Sequence, residues 1–324
     1  MDHSPTKVNL NNICLALEGG GIFGAFIWGV LDRLLDEPDF SIEGISAASA
    51  GALNAALLVS GFASGGQLEA KRVLRKFWEE LAVLSPFTPF QRGTLDRLMG
   101  HWSLSFSIPF VTHELMARLI SPYLNMNLLY PLKELLINCI DFESLTKTKL
   151  KLFVFTTHIA SGESRVFTNE EITADVLIAS SSIPTLFPAT IIENEAYWDG
   201  GLTGNPSLKP LVQECRSKDV ILIQINPQKR EPLPVIASHV MSRINEIALS
   251  VRLATELDFI QMLKEQPQIL SGEALRWAEL GIHSIYDNEV LELDYSTKFN
   301  SEFAFTNFLF DKGRAAAEQF LSAS

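Results

Sequence analysis

The sequence predicts an α/β fold built on a mainly parallel sheet. Three observations carry this: short apolar runs of strand length, segments with apolar residues at helical spacing between them, and glycine clusters at the junctions. Ile13 to Leu17 is an apolar run closed by glycines and reads as a buried strand. Gly24 to Leu35 follows as a helix, with Phe26, Ile27, Val30, Leu31 and Leu34 at helical spacing. Ile42 to Ala48 is the second strand, and a helix-forming stretch, Ala52 to Leu58, comes directly after Ser49. Leu68 to Leu81 is another helix, carrying Val73, Leu74, Phe77, Trp78 and Leu81 on one side. Lys151 to Thr157, Ser164 to Thr168 and Val220 to Ile225 are further strands, with helices at Glu171 to Ser180 and Pro206 to Cys215 between them. Val240 to Lys264 is a long amphipathic helix beyond the sheet. No internal repeat or low-complexity segment interrupts this order.

Leu84 to Val111 is different. Phe87, Phe90, Trp102, Phe106 and Phe110 lie among Pro, Gly and Ser without a sustained period, so the stretch reads as an irregular connection packed on the core. The competing reading is a mobile lid or an apolar patch that meets lipid.

A chain of 324 residues, 47% apolar and 20% charged, has ordinary globular composition and enough length for a full core. A net charge of −12 argues against a nucleic-acid partner, because phosphate binding needs clustered Lys and Arg. Charge alone would not dock it on anionic lipid either. Cys14, Cys139 and Cys215 are odd in number and widely spaced, which suggests reduced thiols rather than a disulfide framework or a zinc site. Met1 to Asn12 is polar, without a secretory apolar stretch, and no run reaches the ~20 apolar residues of a bilayer span. The expectation is a soluble cytoplasmic protein; export without a cleavable signal stays open.

Three motifs bear chemistry. Glu18-Gly19-Gly20-Gly21-Ile22-Phe23-Gly24 joins a strand to a helix, where backbone lacking Cβ atoms can turn its N–H groups toward one oxygen. It also fits the dinucleotide pattern at Gly19, Gly21 and Gly24, but that reading needs an acid closing the second strand. The strand closes instead in Ser46-Ala47-Ala48-Ser49-Ala50-Gly51. This second motif has the layout of a nucleophile elbow, in which tiny neighbours let a strained strand-to-helix turn expose one hydroxyl. An inert serine N-cap is the competing reading, and Ser46 would lie within the strand. The third motif is Tyr197-Trp198-Asp199-Gly200-Gly201, followed by Asn205-Pro206. An acid before two glycines often only makes a turn. Here Tyr197 and Trp198 are expected to shield the carboxylate, raising its pKa and improving it as a base.

Together these motifs resemble the patatin-like phospholipases, in the larger bacterial branch of that family. The glycine-rich loop, the elbow and the Asp-Gly-Gly motif stand in family order at Gly19 to Gly24, Ala47 to Gly51 and Asp199 to Gly201. Ile172-Thr173-Ala174-Asp175, the stretch Ile183 to Ala189, and Ile223-Gln224-Ile225-Asn226-Pro227 add to the resemblance. Two positions depart from it: Ala47 stands where the family has glycine, and Phe23 where it often has Arg or Lys.

The resemblance implies a three-layer α/β/α sandwich and a division of the chain. Residues 1–12 are a polar tail, 13–265 the patatin-like domain with 84–130 as a lid or acyl-pocket region, and 266–324 an extension packed on or capping it. It also implies a Ser–Asp dyad without histidine, in which Ser49 attacks an ester carbonyl and Asp199 takes its proton. The N–H groups of Gly20, Gly21 and Ile22 would form the oxyanion hole. His3, His101, His113, His158, His239 and His283 fall in none of the motifs. The scheme requires no cofactor and no metal. The expected substrate is a phospholipid or lysophospholipid, met through transient contact with a membrane surface. A non-catalytic acyl-chain binding protein on the same scaffold is the alternative.

Overall fold

The computed structural model describes residues 10–84, 90–116, 121, 123, 129–184, 186–231, 233–235, 237–265 and 270–323. Most of the polar tail, Phe87, Thr185 and parts of the 84–130 region lie outside the described residues. Among the described residues, eight strands form one sheet: β1 (Ile13–Leu17), β2 (Ile42–Ala48), β3 (Lys151–His158), β4 (Ser164–Thr168), β5 (Thr190–Ile192), β6 (Glu195–Asp199), β7 (Asp219–Ile223) and β8 (Gly281–Ile285). The order is β5-β6-β3-β2-β1-β7-β8, with β4 also on β3. The run β3-β2-β1-β7-β8 is parallel throughout. β4 and β6 join β3 antiparallel, and β5 joins β6 the same way.

The helices are α1 (Gly24–Leu34), α2 (Ala50–Leu84), α3 (Thr94–Leu98), α4 (Ile108–Met116), α5 (Tyr130–Cys139), α6 (Phe142–Lys147), α7 (Ala174–Ser180), α8 (Lys209–Glu214), α9 (Ala237–Lys264), α10 (Gly272–Glu279), α11 (Asn288–Glu292) and α12 (Phe303–Ala323). They cover both faces of the sheet, and the central strand shows why. All five residues of β1 are buried. Successive side chains alternate between faces, so Ile13, Leu15 and Leu17 enter a core shared with α1, α2, α7 and α12. Cys14 and Ala16 enter a second core with Leu211, Leu253, Ile260 and Trp277 from α8, α9 and α10. A strand covered on both sides must be apolar at every position, as this one is. Three layers result, as the resemblance implies.

Several boundaries differ from the sequence reading for local reasons. α2 takes in both segments read as separate helices, but Gly65 and Gly66 have non-helical backbone, so it bends there into two arms. The helix read from Pro206 begins at Lys209. Pro206 to Leu208 is held instead as a turn by Glu256, which accepts the Leu208 N–H at 2.6 Å and the Ser207 hydroxyl at 2.5 Å. The 84–111 stretch contains α3 and the start of α4, and Phe90, Trp102 and Phe110 pack on the C-terminal part of the chain. Phe110 lies 5.6 Å from Phe299 and Trp102 lies 5.1 Å from Phe305, ring centre to ring centre.

That C-terminal part is integral to the fold. β8 extends the sheet through β7. α12 crosses α1 at close quarters because Gly29 meets the Phe310 carbonyl and Gly313 meets the Phe26 carbonyl, leaving no room for a Cβ at either position. Cys14, Cys139 and Cys215 are free thiols, with the buried Cys14 and Cys215 hydrogen-bonded to each other.

Candidate active site

Ser49 stands between β2 and α2 with φ 52°, in the left-handed region that side chains other than glycine rarely occupy. Such a conformation costs about 1–3 kcal/mol and persists only where its surroundings enforce it. The first turn of α2 starts immediately, with the Leu53 N–H donating to the Ser49 carbonyl at 3.1 Å. Gly51 presses on the Leu17 carbonyl, where no Cβ would fit. The Ser49 N–H donates to Ser180 Oγ at 2.9 Å, and the Ser180 hydroxyl donates to the Phe155 carbonyl at 2.7 Å. Ser180 thereby ties the elbow to β3. Ser46 is a different kind of residue: it is buried within β2, and its hydroxyl donates to the Ser207 carbonyl at 2.6 Å. Ala47 is fully buried in the core.

Asp199 ends β6, 150 positions after Ser49 (199 − 49), and the fold brings the two together. Its carboxylate accepts the Gly201 N–H at 2.7 Å, and the Ser49 hydroxyl stands near enough to favour its ionised form. Its backbone is fixed on both sides, the N–H donating to the Ser182 carbonyl at 2.9 Å and the carbonyl accepting the Thr157 hydroxyl at 2.8 Å. Burial pushes the carboxyl up to about 6, although the Gly201 N–H and the Ser49 hydroxyl pull it down.

Tyr197 and Trp198 do not line the cavity that Asp199 faces. Tyr197 sits two residues back, about 7 Å along the strand, where its ring packs on Phe167 at 5.7 Å. Trp198 falls on the opposite face by strand alternation. The same cavity is lined by Ile183, Pro184, Leu202, Ala248 and Leu249, so the Ile183 to Ala189 stretch and α9 both contribute apolar wall.

The cavity has a volume of about 200 Å³, and Gly19, Gly20, Gly21, Ser49 and Asp199 all line it. Ile22 is set back, half-buried against the core. Gly19 is clamped at both ends of its backbone. Its N–H donates to Asn205 Oδ1 at 2.5 Å, while its carbonyl accepts Nδ2 of Asn205 at 3.3 Å and Nδ2 of Asn226 at 2.8 Å. The next three N–H groups, of Gly20, Gly21 and Ile22, have no acceptor among the described residues. Gly21 has φ +59°, and a Cβ there would lie 2.5 Å from the Lys298 carbonyl oxygen. Gly21→Ala is expected to destabilise the fold by roughly 2 kcal/mol or more, read as a lower urea midpoint. Gly24 packs on Ala50, Trp78 and Asn54, and Gly200 on the Phe155 carbonyl, while Gly201 carries the N–H that meets the carboxylate.

Sequence reasoning gave no role to Glu18, Ser180, Asn205, Asn226 or Lys298. Glu18 is buried under the loop, accepting the N–H groups of Ile225 and Asn226 at 2.8 Å each and Nδ2 of Asn226 at 2.9 Å. Burial pushes its carboxyl up to about 7, against the pull of those donors and of Lys298. Nothing local in the sequence marks Asn226 for this role; a buried carboxylate simply needs several donors, and the fold brings them. Of the histidines, none with a described side chain lines the cavity, and His3 and the side chain of His113 lie outside the description. Among the described residues no group of three or more His, Cys, Asp or Glu stands close enough to hold a metal ion.

Known proteins resemble the chain as follows. VipD from Legionella pneumophila superposes with a TM-score of 0.44 at 14% identity, over 96% of this chain and 67% of that one. The type III effector protein ExoU gives a TM-score of 0.34 at 13% identity, over 96% of this chain and 53% of its own length. A comparison with curated protein sequences gives no match. The sequence model of the patatin-like phospholipases, by contrast, matches residues 15–212. That span is more than half of the chain and contains the glycine loop, the elbow and the Asp-Gly-Gly motif, so the protein belongs to the patatin-like phospholipase family, a family of lipid acyl-ester hydrolases.

Proposed function

We propose that the protein is a phospholipase A or lysophospholipase working through a Ser49–Asp199 dyad. The observation that carries this is the meeting of Ser49 and the buried Asp199 carboxyl in one cavity, where the serine hydroxyl favours the ionised carboxylate. Ser49 Oγ attacks the ester carbonyl as its proton passes to Asp199, since a carboxylate is too weak a base to ionise an alcohol beforehand. The N–H groups of Gly20, Gly21 and Ile22 are the donors offered to the carbonyl oxygen as it becomes an oxyanion. Asp199 returns the proton to the leaving alcohol, and the acyl group stays on Ser49. Water, deprotonated by Asp199, then attacks the acyl-enzyme; the carboxylic acid leaves and Ser49 recovers its proton.

Lipid as substrate is supported by the walls and by the surface beside them. α9 gives Ala248 and Leu249 to the cavity, while Ile244, Ile247 and Val251 of the same helix are exposed. An apolar helix edge at the mouth of the site suits brief contact with a membrane of little net charge, which a chain of charge −12 can approach.

Mixed phospholipid vesicles, incubated with the protein and profiled by mass spectrometry, test the reading. Free fatty acid with matching lysophospholipid or glycerophosphodiester is expected, at a rate unchanged by EDTA. Saturable lipid binding with no product, and no reaction of Ser49 with a fluorophosphonate, would replace the hydrolase by the acyl-chain binding protein.

A further inference from the structure

Beneath the glycine loop lies a buried cation that the dyad scheme leaves without a task. Lys298 sits on the 3-10 turn Tyr295–Phe299, near the C-terminal end of the chain and outside the family match at residues 15–212. It is only 6% exposed, yet it lines the cavity together with Gly19, Gly20 and Gly21. Its ammonium donates to Asn226 Oδ1 at 2.6 Å and stands 5.7 Å from the ring of Phe23 and 5.5 Å from that of Tyr295.

Those contacts decide how Asn226 is turned. A carboxamide offers an oxygen on one side and an NH₂ on the other. Lys298 can only donate, so the oxygen must face Lys298, which leaves the NH₂ for Glu18, an acceptor in its ionised form. The same NH₂ then reaches the Gly19 carbonyl at 2.8 Å. In a trans peptide the carbonyl and the following N–H point in opposite directions. Holding the Gly19 carbonyl toward Asn226 therefore turns the Gly20 N–H away from Asn226, and Gly20 itself lines the cavity. Lys298 also braces the next residue, since its own carbonyl lies against Gly21. It does not act on the base: burial, the Gly201 N–H and the Ser49 hydroxyl account for the carboxyl of Asp199.

We propose that Lys298 is a positioning residue for the oxyanion loop, orienting Asn226 so that Asn226 fixes the Gly19–Gly20 peptide with its N–H aimed into the cavity. This rests on the hydrolase reading for its catalytic meaning, but the orientation itself can be measured without turnover. The charge also has a pH limit. Burial brings the ammonium down to about 8, with Glu246 of α9 and Glu18 favouring the charged form and Arg230 opposing it. As pH rises through that value the donor weakens and the loop loses its brace.

The test uses the full chain with Lys298→Met, Lys298→Arg and Asn226→Ala, alone and with the methionine and alanine changes combined. In protein labelled with ¹⁵N-glycine, the Gly20 amide resonance is expected to move in Lys298→Met and in Asn226→Ala, and to return toward its place in Lys298→Arg. On a short p-nitrophenyl ester, kcat is expected to fall about 10- to 100-fold in Lys298→Met with KM within about twofold. The double variant should lose no more than the worse single one, because both act on one peptide. The alkaline limb near pH 8 should move upward in Lys298→Arg. If Lys298→Met does not fold, Asn226→Ala must show the same resonance shift and kcat loss. An unmoved Gly20 amide in folded Lys298→Met or Asn226→Ala overturns the proposal. So does a raised KM at unchanged kcat, which would make Lys298 a substrate contact. Should the wild-type protein not turn over ester at all, the hydrolase reading falls while the Gly20 amide still decides the role of Lys298.

Discussion

Ser49→Ala lowers ester hydrolysis by about 10⁴-fold or more, and the variant no longer takes up a fluorophosphonate. The expected effect is this large because in the proposed mechanism the hydroxyl is the attacking group, and among the described residues no other serine lines the cavity. Ser46 is three positions away but fully buried, its proton committed to the Ser207 carbonyl. The backbone at position 49 has φ 52° with either residue, so strain there is unchanged and the fold should be retained. Circular dichroism and the melting temperature check this. What does change is the carboxylate, which loses the hydroxyl that favours its ionised form, so Asp199 should titrate higher in the variant. Full activity in folded Ser49→Ala would end the assignment of the nucleophile.

Asp199→Asn is the second large effect, with kcat down about 10³- to 10⁴-fold, since an amide cannot take the serine proton. In the wild-type protein the rate should rise as pH passes through about 6, where the buried carboxyl ionises. Stability should move the other way. The carboxyl is raised from 3.8 to about 6, so between those values the native state still holds a proton that the unfolded chain has released. Stability from this group is therefore fullest below 3.8 and is lost as pH rises to about 6, by up to about 3 kcal/mol. Asparagine carries no such penalty. The inactive variant should melt higher than wild type at pH 7.5, with the gap closing toward pH 4. A melting temperature lower at pH 7.5 than at pH 4 relative to wild type would show that the carboxylate is not held against its solvation.

Local patterns made much of this legible. β1 and β2 end in small-residue turns whose function depends on neighbours in sequence, so Gly19 to Gly24 and Ala47 to Gly51 can be read without a fold. Asp199, the proposed base, was readable as part of a motif. The apolar walls around it were not, because Ile183, Pro184, Ala248 and Leu249 reach the cavity from elements distant in sequence. The supports of the loop were equally hidden. Asn205 meets Gly19 across 186 positions, Asn226 meets it across 207, and Ser180 meets Ser49 across 131. A lone Asn or Ser has many inert uses, and only topology distinguishes these. β8 was missed because Gly281-Ile282-His283-Ser284-Ile285 has no strong apolar run; its partner β7 supplies the apolar surface.

The late arrival of Lys298 has a consequence for how the molecule is made. Asp199 and Phe299 are 100 residues apart (299 − 199), and Tyr295, Lys298 and Phe299 close one side of the cavity. At ~5–20 residues per second, a ribosome needs ~5–20 s to synthesise that interval. A nascent chain thus carries Ser49 and Asp199 well before the residues that close this side of the pocket have been made.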